Sequence, residues 1–128
     1  MKIPVQDVEF FLKEFKARMA SKGVIIIERR ENLQGMFDLE INPETRLKVL
    51  KSLEASDYYR GPSTQSGWLG EAWEFGKVVN SKEAYIKVSM GVAKTAGQPG
   101  QEGVAVHQPV ICISFHPAEK PITYPFKK

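Results

Sequence analysis

Apolar residues recur at three- and four-residue spacing from the start of the chain: Val8, Phe11, Leu12, Phe15 and Met19, with Lys13, Glu14, Lys16 and Arg18 between them. That period predicts an amphipathic helix whose apolar stripe faces a core. Pro4 suits its first turn and Gly23 its C-terminal stop. The β-branched run Val24 to Ile27 has a strand's composition. From Glu31 to Leu39 the pattern predicts a short helix with Leu33, Met36 and Phe37 inward, although Gly35 weakens it. Asn42-Pro43 is a helix start, a capping amide followed by proline at the first helical position. Leu47, Leu50 and Leu53 then form the buried side to about Ala55. Ser56-Asp57 is suited to cap a further turn holding Tyr58 and Tyr59, and Gly61-Pro62 ends helical structure.

Beyond that point the period falls to two. Trp73 to Lys87 (WEFGKVVNSKEAYIK) predicts a β-hairpin turning at Asn80-Ser81. Trp73 and Phe75 would face the core from one strand, and Ala84, Ile86 and Val88 from the other, leaving Glu74, Tyr85 and Lys87 on the opposite face. A two-residue turn pairs Val79 with Lys82, and counting outward sets Glu74 opposite Lys87. Gly61 to Gly70 and Ala93 to Gly103 have loop composition. Val110 to Phe115 predicts a last strand, starting after Pro109, with Ile111, Ile113 and Phe115 inward and Cys112, Ser114 and His116 outward. Whether Val104 to His107 joins it is open. The tail, residues 118–128, is proline-rich and predicts an extended segment with Tyr124 and Phe126 packed. Helices followed by strands make an α+β pattern.

With 128 residues, 42% hydrophobic and 26% charged, the chain suits a single domain, 1–128, with a core that needs no staples. The lone Cys112 has no disulfide partner and no zinc-site companions, so no metal or cofactor is expected. The N-terminal segment carries Asp7 and Glu9 and lacks a long apolar run, which argues against a signal peptide or membrane span and for a cytoplasmic protein. A net charge of +3 permits a nucleic-acid partner without requiring one.

Glu74, Tyr85 with Lys87, and Ser114 with His116 fall on three strands but one predicted sheet face. An imidazole, a carboxylate, a phenol and cations suit phosphodiester cleavage in RNA, where the 2′-hydroxyl is the nucleophile and the protein moves protons and offsets charge. Glu74 has two readings, a catalytic base or the cross-strand partner of Lys87. Arg60 stands beside Tyr58 and Tyr59 in a place suited to a phosphate clamp, and Arg29 and Arg30 are further phosphate candidates. A face of solvated polar residues with no chemistry is the bland alternative.

The segments SDYYRGP, WEFGK, AYIKVSM and VICISFH, in that order after two or three helices, resemble the MqsR-type toxins of bacterial toxin–antitoxin modules. In that family the comparable segments read Asp-aromatic-Tyr-Lys, Trp-Gln, Val-Tyr-Leu-Lys and a terminal Ser-Phe-Lys strand. The resemblance runs from about Leu47 to His116 and rests on order and spacing, because each motif is short. It implies a RelE/barnase-like fold: N-terminal helices on a three- or four-stranded antiparallel sheet. It also implies a metal-independent endoribonuclease that cleaves mRNA and is neutralised by an antitoxin protein. Carried over position by position, the family's catalytic lysine falls on Arg60, its glutamine on Glu74, its tyrosine on Tyr85 and its last-strand lysine on His116. Lys87, Tyr59 and Arg30 are the accompanying RNA-binding candidates. Glutamate for glutamine and histidine for lysine turn a mostly cationic set into a potential base–acid pair. A longer loop at Ala93–Gly103 and the tail after His116 are further departures. A non-catalytic RNA-binding or protein-interaction module on the same scaffold is the second reading.

Overall fold

The structure is a computed structural model and describes residues 3–64, 71–90 and 109–127. Among the described residues, three α-helices and five strands form one α+β unit. Helix α1 (Val5–Lys22) buries the five residues its periodicity selected, Val8, Phe11, Leu12, Phe15 and Met19. It stops at Gly23, whose φ of +88° is a conformation other residues rarely adopt. Strand β1 (Val24–Ile26), helix α2 (Arg30–Leu39) and helix α3 (Pro43–Lys51) follow. Asn42 caps α3, its side-chain oxygen accepting the Thr45 N–H at 2.8 Å. A single 3-10 turn at Ala55–Asp57 leads into β2 (Tyr58–Thr64), and then come β3 (Glu71–Val79), β4 (Lys82–Ser89) and β5 (Val110–Pro117). None of the described helices is long and apolar enough to cross a membrane.

The sheet order is β1-β5-β4-β3-β2. Its last four strands are antiparallel, whereas β1 runs parallel to β5. The expected three- or four-stranded antiparallel sheet is therefore corrected to five mixed strands, for two reasons. Gly23 delivers the Val24 run to the β5 edge in parallel register. At the other edge, Tyr58 and Tyr59 extend instead of continuing a helical turn. Tyr58 is buried against Trp73, Phe75 and Phe126, which an aromatic on a strand can do and one on an exposed turn cannot. Residues 61–64 of the expected loop belong to β2 as well. The rest of that loop, the Ala93–Gly103 connection and Val104 to His107 lie outside the described residues.

The hairpin register is the one counted from the turn: Val79 lies opposite Lys82 and Glu74 opposite Lys87. Asn80 and Ser81 both have positive φ, 50° and 70°, as a two-residue hairpin turn matched to strand twist requires. Trp73, Phe75, Ala84, Ile86 and Val88 join α1, Leu39, Leu50 and Leu53 in the main core.

Strand β5 departs from simple alternation. Lys87 pairs with Ser114, but its neighbour Val88 pairs with Cys112, so Ile113 is the extra residue of a β-bulge. Upstream of the bulge the phase is inverted: Cys112 enters the main core, while Ile111 and Ile113 cluster with Ala72 on the other face. Downstream, Phe115 faces the core and Ser114 and His116 face away, as alternation from the far end expects. Thiol burial in that core pushes the Cys112 pKa up to about 12.

Helix α2 also turns differently from expectation. Leu33 and Phe37 are 51% and 79% exposed, and the buried residues are Asn32, Gly35 and Leu39. The reason is a polar contact that an apolar period cannot register. Strand β1 ends at Ile26, leaving the last half of β5 without a strand neighbour on that side. The fully buried Asn32 amide fills the gap: Nδ2 donates to the Ile27 and Ile113 carbonyls at 2.7 and 2.9 Å, and Oδ1 accepts the Phe115 N–H at 2.9 Å. Gly35 permits this approach, since a Cβ there would lie 2.7 Å from the Phe115 carbonyl oxygen. The other end of α2 is tied to the hairpin turn, with Asn80 Nδ2 donating to the Leu39 carbonyl at 2.8 Å.

The tail recrosses the sheet on its polar face. Glu83 accepts the Ile122 N–H at 3.0 Å and the Tyr124 hydroxyl at 2.6 Å, and both side chains lie over Gly76. Phe126 stacks on Tyr58, so Tyr124 and Phe126 are packed as predicted.

Replacing Asn32 by alanine strips three backbone groups of their partner, and buried unsatisfied groups cost about 1–3 kcal/mol each. The expected outcome for Asn32→Ala is a loss of on the order of 3 kcal/mol in urea denaturation. Asn32→Asp, which keeps the acceptor but loses both donors, should also destabilise the fold.

Candidate functional site

The hairpin register and the bulge in β5 sort the polar face into two rows running across the strands. One row is Arg60 on β2, Glu74 on β3, Lys87 on β4 and Ser114 on β5, each paired in register with the next. The adjacent row is Gly76, Tyr85 and His116. Gly76 leaves room there for Ile122 and Tyr124, so the tail walls off one side of both rows. A cleft of about 380 Å³ results, lined by Tyr59, Arg60, Tyr85, Lys87, Ser114 and His116 from the sheet, Arg29 and Glu31 from the start of α2, and Ala118, Glu119, Lys120 and Ile122 from the tail.

Glu74 is the hub of this face. Its side chain is only 6% exposed, yet it carries a carboxylate, which demands charged or strong donors around it. Arg60 Nε lies 3.0 and 3.1 Å from its two oxygens, and the Tyr85 hydroxyl donates to Oε1 at 2.5 Å. Both donors are fixed by these bonds, although 64% of the Arg60 side chain remains exposed to the cleft. Its guanidinium also lies over the Tyr59 ring, 4.8 Å from the centroid. The two sequence readings of Glu74 are thus joined by a third: it stands opposite Lys87 as counted, while its carboxylate holds Arg60 and Tyr85.

Burial, the hydrogen bond to Glu74 and the Glu74 charge all push the Tyr85 phenol well above its ordinary pKa, against a smaller opposing effect of Arg60. Tyr85 therefore stays protonated and serves as a donor. Its ring lies 5.4 Å from that of His116. The His116 Nδ1 is 2.9 Å from the Pro117 carbonyl oxygen. A carbonyl can only accept, so Nδ1 carries the hydrogen, and whenever the ring is neutral its lone pair lies on Nε2.

Of the sequence-selected residues, Arg60, Tyr85, His116, Lys87 and Tyr59 line the one cleft, and Glu74 lies beneath Arg60 and Tyr85. Arg30 does not line it. It is the first residue of α2, whereas its neighbour Arg29, the extended residue before the helix, reaches Ser114 Oγ at 2.7 Å. Two adjacent arginines are equivalent in sequence; where the helix begins separates them. Lys120 and Glu119 reach the cleft only because the tail folds back, a contact no local pattern announces.

The raised phenols have a stability consequence. Tyr58, Tyr85 and Tyr124 all ionise above the free value of 10.0 in the folded chain, burial being the first cause for each. Above pH 10 the unfolded chain releases protons that the folded chain retains, so stability present below that pH is lost as pH rises. Urea midpoints should fall from about pH 10 upward, and fall less steeply in Tyr85→Phe. In Glu74→Gln, ultraviolet titration should show the Tyr85 phenol ionising at lower pH than in the parent but still above 10.0, because burial remains.

No protein-family model matches the chain, and comparison with curated proteins and with solved structures gives no match either.

Proposed function

We propose that the protein is a metal-independent endoribonuclease of the toxin type, with the RelE/barnase-like character and MqsR-type kinship that its motifs imply, acting on single-stranded mRNA in the cleft of the polar face. The observation that carries this reading is the meeting, in one cleft, of a histidine whose Nε2 is left over by its Nδ1 contact and the Arg60 and Lys87 cations, with Arg60 and the Tyr85 phenol both held by Glu74.

His116 Nε2 removes the proton from a ribose 2′-hydroxyl. The O2′–P bond forms as the P–O5′ bond breaks, and the 5′-oxygen takes a proton from solvent, leaving a 2′,3′-cyclic phosphate and a 5′-hydroxyl. Arg60 and Lys87 offset the charge that builds on the phosphoryl oxygens, Arg60 in the two-pronged geometry that suits phosphate. Glu74 acts through Arg60 and Tyr85, which it orients, and Tyr59 offers a ring face to a base. An antitoxin would neutralise such an enzyme by covering this cleft.

Single-stranded RNA incubated with purified protein in EDTA should be cut to cyclic-phosphate ends. His116→Ala should slow cutting by about 10²–10⁴-fold, the usual contribution of general base catalysis. If the parent cuts no better than the His116→Ala, Tyr85→Phe double variant, the enzymatic reading is lost. RNA binding with no cleavage would then favour the non-catalytic module.

A further inference from the structure

The row that contains Glu74 does not end at β5. Arg60, Glu74, Lys87 and Ser114 are paired strand to strand, and Ser114 Oγ accepts a hydrogen bond from Arg29 Nη2 at 2.7 Å. Ser114 is itself buried, so it is a fixed post. Arg29 is thereby tied to the β5 end of the row, and it lines the same cleft as Arg60. Its guanidinium has five N–H groups, and the bond to Ser114 uses one of them. The neighbouring Glu31 carboxylate is 3.9 Å from Nε, on an exposed pair that contributes little.

Three strand spacings separate β2 from β5, roughly 14 Å at ~4.8 Å per spacing. That span is far wider than one phosphate, and it carries cations at both ends and at Lys87 between them. The Tyr85–His116 row lies alongside it. A ligand that met both end cations would therefore bear more than one anionic group in line, running across the strands, with its chemistry beside the β5 end of the run, where His116 and Ser114 share a strand.

We propose that Arg29, positioned by Ser114, is a second phosphate-binding residue, and that the cleft takes at least two consecutive phosphates of an RNA strand lying perpendicular to the β-strands. This rests on the RNA reading above and adds the direction and length of the bound strand. Arg30, one residue away, takes no part.

The test is the salt dependence of binding to a 2′-O-methyl oligonucleotide, which cannot be cleaved, measured by fluorescence anisotropy. Each phosphate contact to a single strand contributes about −0.7 to the slope of log K against log salt. Arg29→Gln should flatten the slope by about 0.7 for a trinucleotide with two internal phosphates and leave the slope for a dinucleotide with one unchanged. Arg29→Lys, which keeps the charge, should retain the parent slope, and Arg30→Gln should match the parent. Ser114→Ala should weaken trinucleotide binding at any one salt concentration. An unchanged trinucleotide slope in Arg29→Gln, or an equal loss in Arg30→Gln, overturns the second phosphate site while RNA binding by the parent stands. A parent that binds neither oligonucleotide overturns the RNA reading itself.

Discussion

A carboxylate almost wholly removed from water sets the character of the polar face. Glu74 sits on β3, between β2 and β4, and a buried charge is tolerated only where strong donors reach it. Arg60 reaches it from β2 and Tyr85 from β4. Three neighbouring strands are thereby stitched together through side chains as well as through their backbone ladders. The same bonds fix a guanidinium and a phenol at the floor of a cleft, so one electrostatic requirement both joins three strands and furnishes the cleft.

The opposite edge of the cleft depends on a different device. Strand β1 is too short to pair with all of β5, and an unpaired strand edge leaves backbone donors and acceptors unanswered. The Asn32 amide answers them with its own donor and acceptor, in the manner of a missing strand residue. That pins the stretch of β5 carrying Ser114 and His116 against α2, and Gly35 lets the helix come close enough to do it. The bulge at Ile113 completes the arrangement by resetting the phase, so that Ser114 aligns with Lys87 and His116 with Tyr85.

The two ends of α2 link these halves. Asn32 grips β5 at one end, and Asn80, on the hairpin turn, grips the Leu39 carbonyl at the other. The helix spans from the strand that bears His116 to the hairpin that bears Glu74 and Tyr85. Its exposed Leu33 and Phe37 are the counterpart of that choice: Asn32 and Gly35 share the inward face with Leu39, and these two apolar side chains were left outside.

Elements governed by local rules were legible in the chain itself. The α1 stripe, the Asn42 cap and the Asn80-Ser81 hairpin follow from side-chain period, a capping oxygen and positive-φ turn geometry, each contained within a few residues. From the hairpin register alone, Glu74, Tyr85 and Lys87 share a face. What tertiary structure decided was everything resting on contacts between distant segments. Tyr58 became a strand residue because its ring found Trp73 and Phe75; α2 rotated because the β5 edge lacked hydrogen-bond partners; and β5 carried a bulge that no alternation pattern contains. Arg29 rather than Arg30 entered the cleft because of where a helix starts, and the tail became a wall because Gly76 left space for it. Sequence periodicity specifies which face a residue occupies within its own element, but hydrogen-bond completion and packing between elements set which faces meet.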